Sequence, residues 1–348
     1  MEQRSVGRIG WLDVMKLLGL YYVYVVHYTE TGRYGLFFFS ILEGVLFFAS
    51  GWTASRHRSD PLAAYAVSRF RRLMVPYFAF GFVSLAVRIA VLELSLGEIL
   101  EYVRRLLYGS RAHIPVAALW FLPCLFCMNV LYHLLQRVFR HPLALLAVSL
   151  VISAAVKLIH EGPVLPWGAD MAGRYLIYYA LGDYLCGAAA RHPEARHSRL
   201  LLTLAGLGTL VSFFVFYTNF YFGNMYFFSL FGIVALPFPV MACVQCFYQL
   251  NGIWCTAVLA WLLAPLPGLR RAGRSTICLC GAEQIVKTLV PFAMETVGLA
   301  MLEDTAVHTL INAALMLTVA YFAVARPVEA YFPWMLGSRP HGAAGEKG

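Results

Sequence analysis

A lysine and a histidine stand eleven residues apart in the first apolar segment, Lys16 and His27 of WLDVMKLLGLYYVYVVHY. An imidazole titrates near neutrality, so it can take the proton of an attacking hydroxyl and pass it on. Eleven helical steps return to within about 20° of the starting direction while climbing about 16 Å, so the two side chains share one helix face. The plainer alternative for His27 is a hydrogen bond between helices. Asp13 lies three residues before Lys16, close enough for an ion pair that lowers the cost of burying both groups.

Three further groups could do chemistry. In SRFRRLMVPY (68–77), Arg69, Arg71 and Arg72 precede the third apolar segment. Guanidinium forks fit phosphate oxygens, although such a cluster also anchors a helix at the inner membrane face. In LWFLPCLF (119–126), Trp120 and Phe121 have the character of interfacial aromatics. In RSTICLCGAEQIVK (274–287), Glu283, Gln284 and Lys287 lie within an apolar stretch, and Glu283 and Lys287 are four residues apart. Such groups are costly unless they face a cavity or one another. Glu43, Arg88 and Asp183 carry the same demand, and Ser50 and Gly51 in FFASGW allow helices to approach closely. The CxxC pairs Cys124/Cys127 and Cys243/Cys246 sit in apolar helical contexts without other metal ligands. They read as small hydrophobes, so no metal and no disulfide framework is expected.

The elements that must hold these residues follow from composition. The 348-residue chain is 60% hydrophobic and only 13% charged, against about 25% charged in soluble domains. Continuous apolar runs of helix length exclude the alternating strands of a membrane β-barrel. The expectation is an all-α polytopic membrane bundle of about ten transmembrane helices: 12–29, 36–54, 73–94, 117–136, 142–160, 172–190, 200–218, 226–250, 275–296 and 305–325. The stretch 252–266 is short and ends in proline, so it reads as interfacial or re-entrant. Asp13 and Lys16, with no small-residue cleavage site after them, make the first run a permanent span rather than a signal peptide.

Charge sets the orientation. Eighteen of the 27 lysines and arginines fall on one set of alternate segments, including Arg58, Arg137, Arg140 and Arg270, while five (Arg33, Arg104, Arg105, Arg111 and Arg174) fall on the other. This bias puts both termini in the cytoplasm and accounts for the net charge of +9 without a nucleic-acid partner. The loop 95–116 carries LGEILEYVRRLL, which reads as an amphipathic helix on the membrane surface. No repeat or soluble domain is apparent. Residues 1–336 are expected to form one membrane domain and 337–348 a short disordered tail.

The order of motifs resembles the acyltransferase-3 family of membrane O-acyltransferases: Asp13-x-x-Lys16-x(10)-His27, FFASG at 47–51, Arg69-x-x-Arg72 before VPY, LWFL at 119–122 and GRST at 273–276. The resemblance runs over about residues 8–330. It implies a multi-pass protein of the bacterial plasma membrane that takes an acyl group, often acetyl, from cytoplasmic acyl-CoA. The acceptor would be a hydroxyl of a glycan or lipid-linked sugar. The family's basic-x(10)-His motif maps onto Lys16 and His27, with His27 as general base or acyl relay, and its Arg-x-x-Arg motif, tied to acyl-CoA, maps onto Arg69 and Arg72. Trp120, Ser275, Glu283 and Gln284 are the candidates for the acceptor side. Two features depart from the family. Lysine replaces the commoner arginine at 16, and Leu279 and Ala282 stand where many members have tyrosine and histidine after Ser275. Two other readings stay open: a transporter of a glycan or lipid precursor, for which only Pro237 and Pro239 interrupt a span, and a degenerate family member acting as a scaffold.

Overall fold

The computed structural model describes residues 9–28, 33–54, 58–92, 94–111, 114–159, 164–191, 206–212, 238–298 and 306–337. Among them every regular element is helical: α1 Gly10–Tyr28, α2 Arg33–Gly51, α3 Leu62–Leu92, α4 Leu96–Tyr108, α5 Phe121–Val138, α6 Pro142–Leu158, α7 Ala169–Arg174, α8 Leu176–Arg191, α9 Phe238–Leu263, α10 Pro267–Arg274, α11 Thr276–Thr296, α12 Ala306–Val319 and α13 Arg326–Tyr331. Among the described residues, five stretches are long and apolar enough to cross a membrane: Leu62–Leu92, Ala117–Val138, Ala242–Leu263, Thr276–Thr296 and Val307–Tyr331. The expected span at 200–218 falls largely outside the described residues, as do the first half of 226–250 and the tail from 338.

The chain divides into two compact units, Met1–Thr53 with Tyr178–Thr276, and Ala54–Ile177 with Ile277–Gly348. In the first unit α1, α2 and α9 pack on one another, and α10 packs on α1. The FFASG motif explains one tight crossing. A Cβ on Gly51 would strike the Tyr179 carbonyl, and one on Gly182 would strike the Phe48 carbonyl. Glycines on both helices therefore let α2 and α8 touch backbone to backbone. The Tyr22 hydroxyl meets Thr256 Oγ1 at 3.2 Å, tying α1 to α9 inside the core.

The stretch 252–266 corrects the sequence expectation. Residues 252–263 are the second half of the continuous helix α9. No strong breaker precedes Pro265, and Gly252 is used for contact with Ile41 of α2. Among the described residues the candidate span here is Ala242–Leu263, which takes in most of this stretch.

In the second unit α3 has 31 residues, about 46 Å of helix, longer than a bilayer core. Helix α4 is amphipathic as its sequence indicates. It starts in a Ser95–Glu98 capping box and ends at Gly109 in the left-handed region, φ 65°. Instead of lying clear on a surface, it folds back antiparallel along α3. Tyr102 donates to the Gly81 carbonyl and Tyr77 to the Leu106 carbonyl, contacts four residues apart on each helix that fix the register. On the outward face Glu101 pairs with Arg104 and Arg105, each at 2.6 Å. Hydrogen bonds from these guanidiniums hold its carboxyl at about 2, below the ordinary 4.5. The pairs are therefore complete above the unfolded carboxyl value and are lost only as pH falls toward 2.

A break between α7 and α8 at Tyr175 leaves backbone groups exposed, and Ser153 of α6 repairs it. Its hydroxyl donates to the Gly173 carbonyl and accepts from the Ile177 N–H, both at 3.0 Å. This is the internal satisfaction that a membrane interior demands. Leu143, Leu150, Val151 and Leu158 on α6, and Val307, Ile311 and Leu315 on α12, are exposed at helical spacing, as lipid-facing stripes are.

Gly51→Val is expected to destabilise the first unit by at least the ~1–3 kcal/mol of ordinary overpacking, because the obstacle is a carbonyl rather than a movable side chain. Thermal unfolding of detergent-purified protein measures this; an unchanged midpoint would show that the α2–α8 contact does not constrain the fold.

Candidate functional site

In the first unit the site is built on α1. Asp13, Lys16 and His27 fall within about 60° of one another around this helix. Asp13 is buried, Lys16 and His27 are half-buried, and the His27 Nδ1 atom is shielded from solvent. A buried carboxylate requires positive charge, and α10 provides it: Arg274 Nε lies 3.8 Å from Asp13 Oδ2. The approach depends on Gly273, whose missing Cβ would collide with the Asp13 carbonyl. Thr276 Oγ1 then donates to the Gly273 carbonyl at 2.6 Å, and Ser275, buried, ends α10. The GRST motif is thus the joint that holds the amino-terminal turn of α1. The sequence offered Lys16 as a neighbour for Asp13; the fold adds Arg274 from 261 residues further along the chain.

In the second unit Arg69, Arg71 and Arg72 lie on α3. Arg69 is half-buried, its guanidinium 4.9 Å from the Tyr65 ring centre, while Arg71 and Arg72 are exposed. Phe70, between them, packs edge-on against Phe126 and beside Trp167. Trp167 holds a left-handed backbone, φ 57° and ψ 22°, and its Nε1 donates to the Leu107 carbonyl at 3.1 Å. A non-glycine residue keeps such a conformation only when its surroundings fix it, so the arginine-bearing turn of α3 rests on a rigid aromatic seat.

Tyr65 continues this cluster. It stacks on His133 with ring centres 4.2 Å apart and donates to Asn129 Oδ1 at 3.0 Å. His133 Nε2 and an Arg137 guanidinium nitrogen both meet the Asp60 carbonyl at 3.0 Å. Sequence reasoning missed these groups. The signal was present: Asn129, His133 and Gln136 form a polar i, i+4, i+7 row in an otherwise apolar helix.

Trp120 is buried, with the Arg111 guanidinium 4.9 Å from its ring centre. Arg111 also reaches toward the Tyr175 hydroxyl at 3.5 Å. The Cys280 thiol donates to the Ala118 carbonyl at 3.2 Å, which brings α11 against the short helix Ala117–Trp120. Glu283 is fully buried one turn further along α11, and Gln284 is half-buried. Asp13, Lys16, His27 and Ser275 thus belong to the first unit, and Arg69, Arg71, Arg72, Trp120, Glu283 and Gln284 to the second.

A family model described as an acyltransferase domain matches residues 9–266. No curated protein and no solved structure matches the chain.

Gly273→Leu is expected to push α10 off α1, because the obstacle is the Asp13 carbonyl, destabilising the protein by at least the ~1–3 kcal/mol of ordinary overpacking. Asp13→Asn with glycine retained should cost less, since Arg274 is half exposed and can find water. Melting curves of the two purified variants check this order, and the reverse order would refute the joint.

Proposed function

Because the chain belongs to the acyltransferase-3 family and is a multi-pass membrane protein, we propose that it moves an acyl group, acetyl in the first instance, from cytoplasmic acyl-CoA to a hydroxyl of a glycan or lipid-linked sugar. The observation that carries this reading is the shared face of Lys16 and His27 on α1, set by GRST in a chain whose family match covers that helix. His27 takes the proton of the acceptor hydroxyl as its oxygen attacks the thioester carbonyl. The carbonyl–sulfur bond breaks, and coenzyme A leaves as the thiol once protonated. Lys16 places a cation along the same face, where negative charge develops or passes. Arg69 and Arg72, with Arg71, bind phosphates of the donor. Trp120, Ser275, Glu283 and Gln284 serve the acceptor.

The proposed setting is a bacterial plasma membrane, crossed about ten times, with both termini cytoplasmic and residues 1–336 acting as one membrane domain. Supporting this orientation, segments that the charge bias assigns to one side meet in the second unit. Arg58 bonds to the Arg140 carbonyl, and Gly337 packs against the Arg71 carbonyl.

One observation favours a second reading. Leu279 and Ala282, at the positions where the resemblance expects tyrosine and histidine, are fully buried. A scaffold without transfer activity would tolerate this packing.

His27→Ala is expected to lower acyl transfer by about 10²–10⁴-fold while leaving coenzyme A affinity near the parent value. Transfer is followed by mass spectrometry of surface glycans and glycolipids, and affinity by titration of purified protein. Full transfer in that variant would sink the mechanism, and an inactive parent would favour the scaffold. Arg69→Lys should raise KM for acyl-CoA with a smaller effect on kcat, because the charge survives and the fork does not.

A further inference from the structure

A cavity of about 460 Å³ opens beside the α5 carboxyl end, lined by Arg58, Gln136, Arg137 and Arg140. Its volume is that of a small-ligand pocket, and among the described residues its lining holds three guanidiniums, one amide and no carboxylate. Helix carboxyl ends ordinarily repel anions. Here Arg58 removes that obstacle by donating to the Gln136, Phe139 and Arg140 carbonyls at 3.5, 3.2 and 2.9 Å. Arg137 is fixed in turn by the Asp60 carbonyl. Carbonyl partners orient these cations without cancelling their charge. Arg140 makes no side-chain hydrogen bond or ion pair among the described residues. Asp60 does not line the cavity.

We propose that this cavity is a phosphate-binding site, formed by Arg58, Arg137 and Arg140, which takes the phosphate of a soluble coenzyme or of an anionic lipid headgroup. Bidentate guanidiniums held in advance by backbone bonds suit a phosphate's several oxygens. The site stands independently of the role given to His27. It lies beyond the Tyr65–His133 stack from Arg69, so for a coenzyme it adds to the phosphate contacts proposed above.

The test uses the full-length protein in detergent, comparing the parent with Arg140→Glu, Arg140→Lys and Arg137→Gln. Coenzyme A affinity is measured by titration calorimetry, and phosphatidylglycerol retention by native mass spectrometry. Arg140→Glu is expected to weaken one of them by about tenfold or more, the equivalent of one charge-assisted hydrogen bond, with an unchanged melting temperature; Arg140→Lys should retain most of the binding. Loss of coenzyme A affinity assigns the phosphate to the coenzyme, and loss of lipid retention assigns it to the membrane. Parent-like values for both in Arg140→Glu and Arg137→Gln would overturn the site, as would a parent that binds neither. A parent that retains lipid but not coenzyme A would defeat the donor reading of Arg69 and Arg72 while leaving this site to be decided by the lipid measurement.

Discussion

A carboxylate removed from water must be met by positive charge and donors, and Asp13 imposes that demand on the first unit. It sits buried in the opening turns of α1, the helix that also carries Lys16 and His27. The answer comes from Arg274, which reaches it only because Gly273 has no side chain to hold the helices apart. One ion pair and one missing methyl group thus connect the start of the family-matched region to the segment just beyond its end. The position of α1 sets where its lysine and histidine lie in depth and direction. Asp13, with Lys16 and His27 a candidate for the catalytic group, therefore supports the proposed chemistry through the position of α1.

The same constraint, that polar groups in a dry interior be satisfied by the protein, shapes the second unit. Ser153 closes the broken backbone between α7 and α8. Tyr77 and Tyr102 find carbonyls across the α3–α4 hairpin. Arg58 collects the open carbonyls at the end of α5. Each of these contacts also fixes an angle between elements. The cationic region at the α3 end is thereby rigid: aromatic packing of Phe70 supports one side, and carbonyl-bound guanidiniums support the other. Rigidity matters for phosphate recognition, since an arginine already ordered loses less entropy when it binds.

Much of this was legible in the chain itself. The helical class, membrane character, first and second helices and motif order follow from composition, apolar run length and residue type, which are local properties. The eleven-residue interval between Lys16 and His27 was enough to place both on one face, because helix geometry is fixed by the backbone. The register of α9 was misread because an apolar run has no internal marker of where a span begins, and Pro265 marks only its end. The fold-back of α4 was equally hidden. Its amphipathicity is a property of thirteen residues, but its partner is chosen by two tyrosine hydroxyls and the small Gly81.

The sequence alone determined that this is a helical membrane protein with the acyltransferase-3 motif order, since those features need only residue identity and spacing. The tertiary structure decided which groups became partners: Asp13 with Arg274, Tyr65 with His133, and Arg58 with the end of α5. These pairs are separated by 68 to 261 residues in the chain. Periodicity carries no information over such distances, because a contact between remote segments depends on the packing of everything between them.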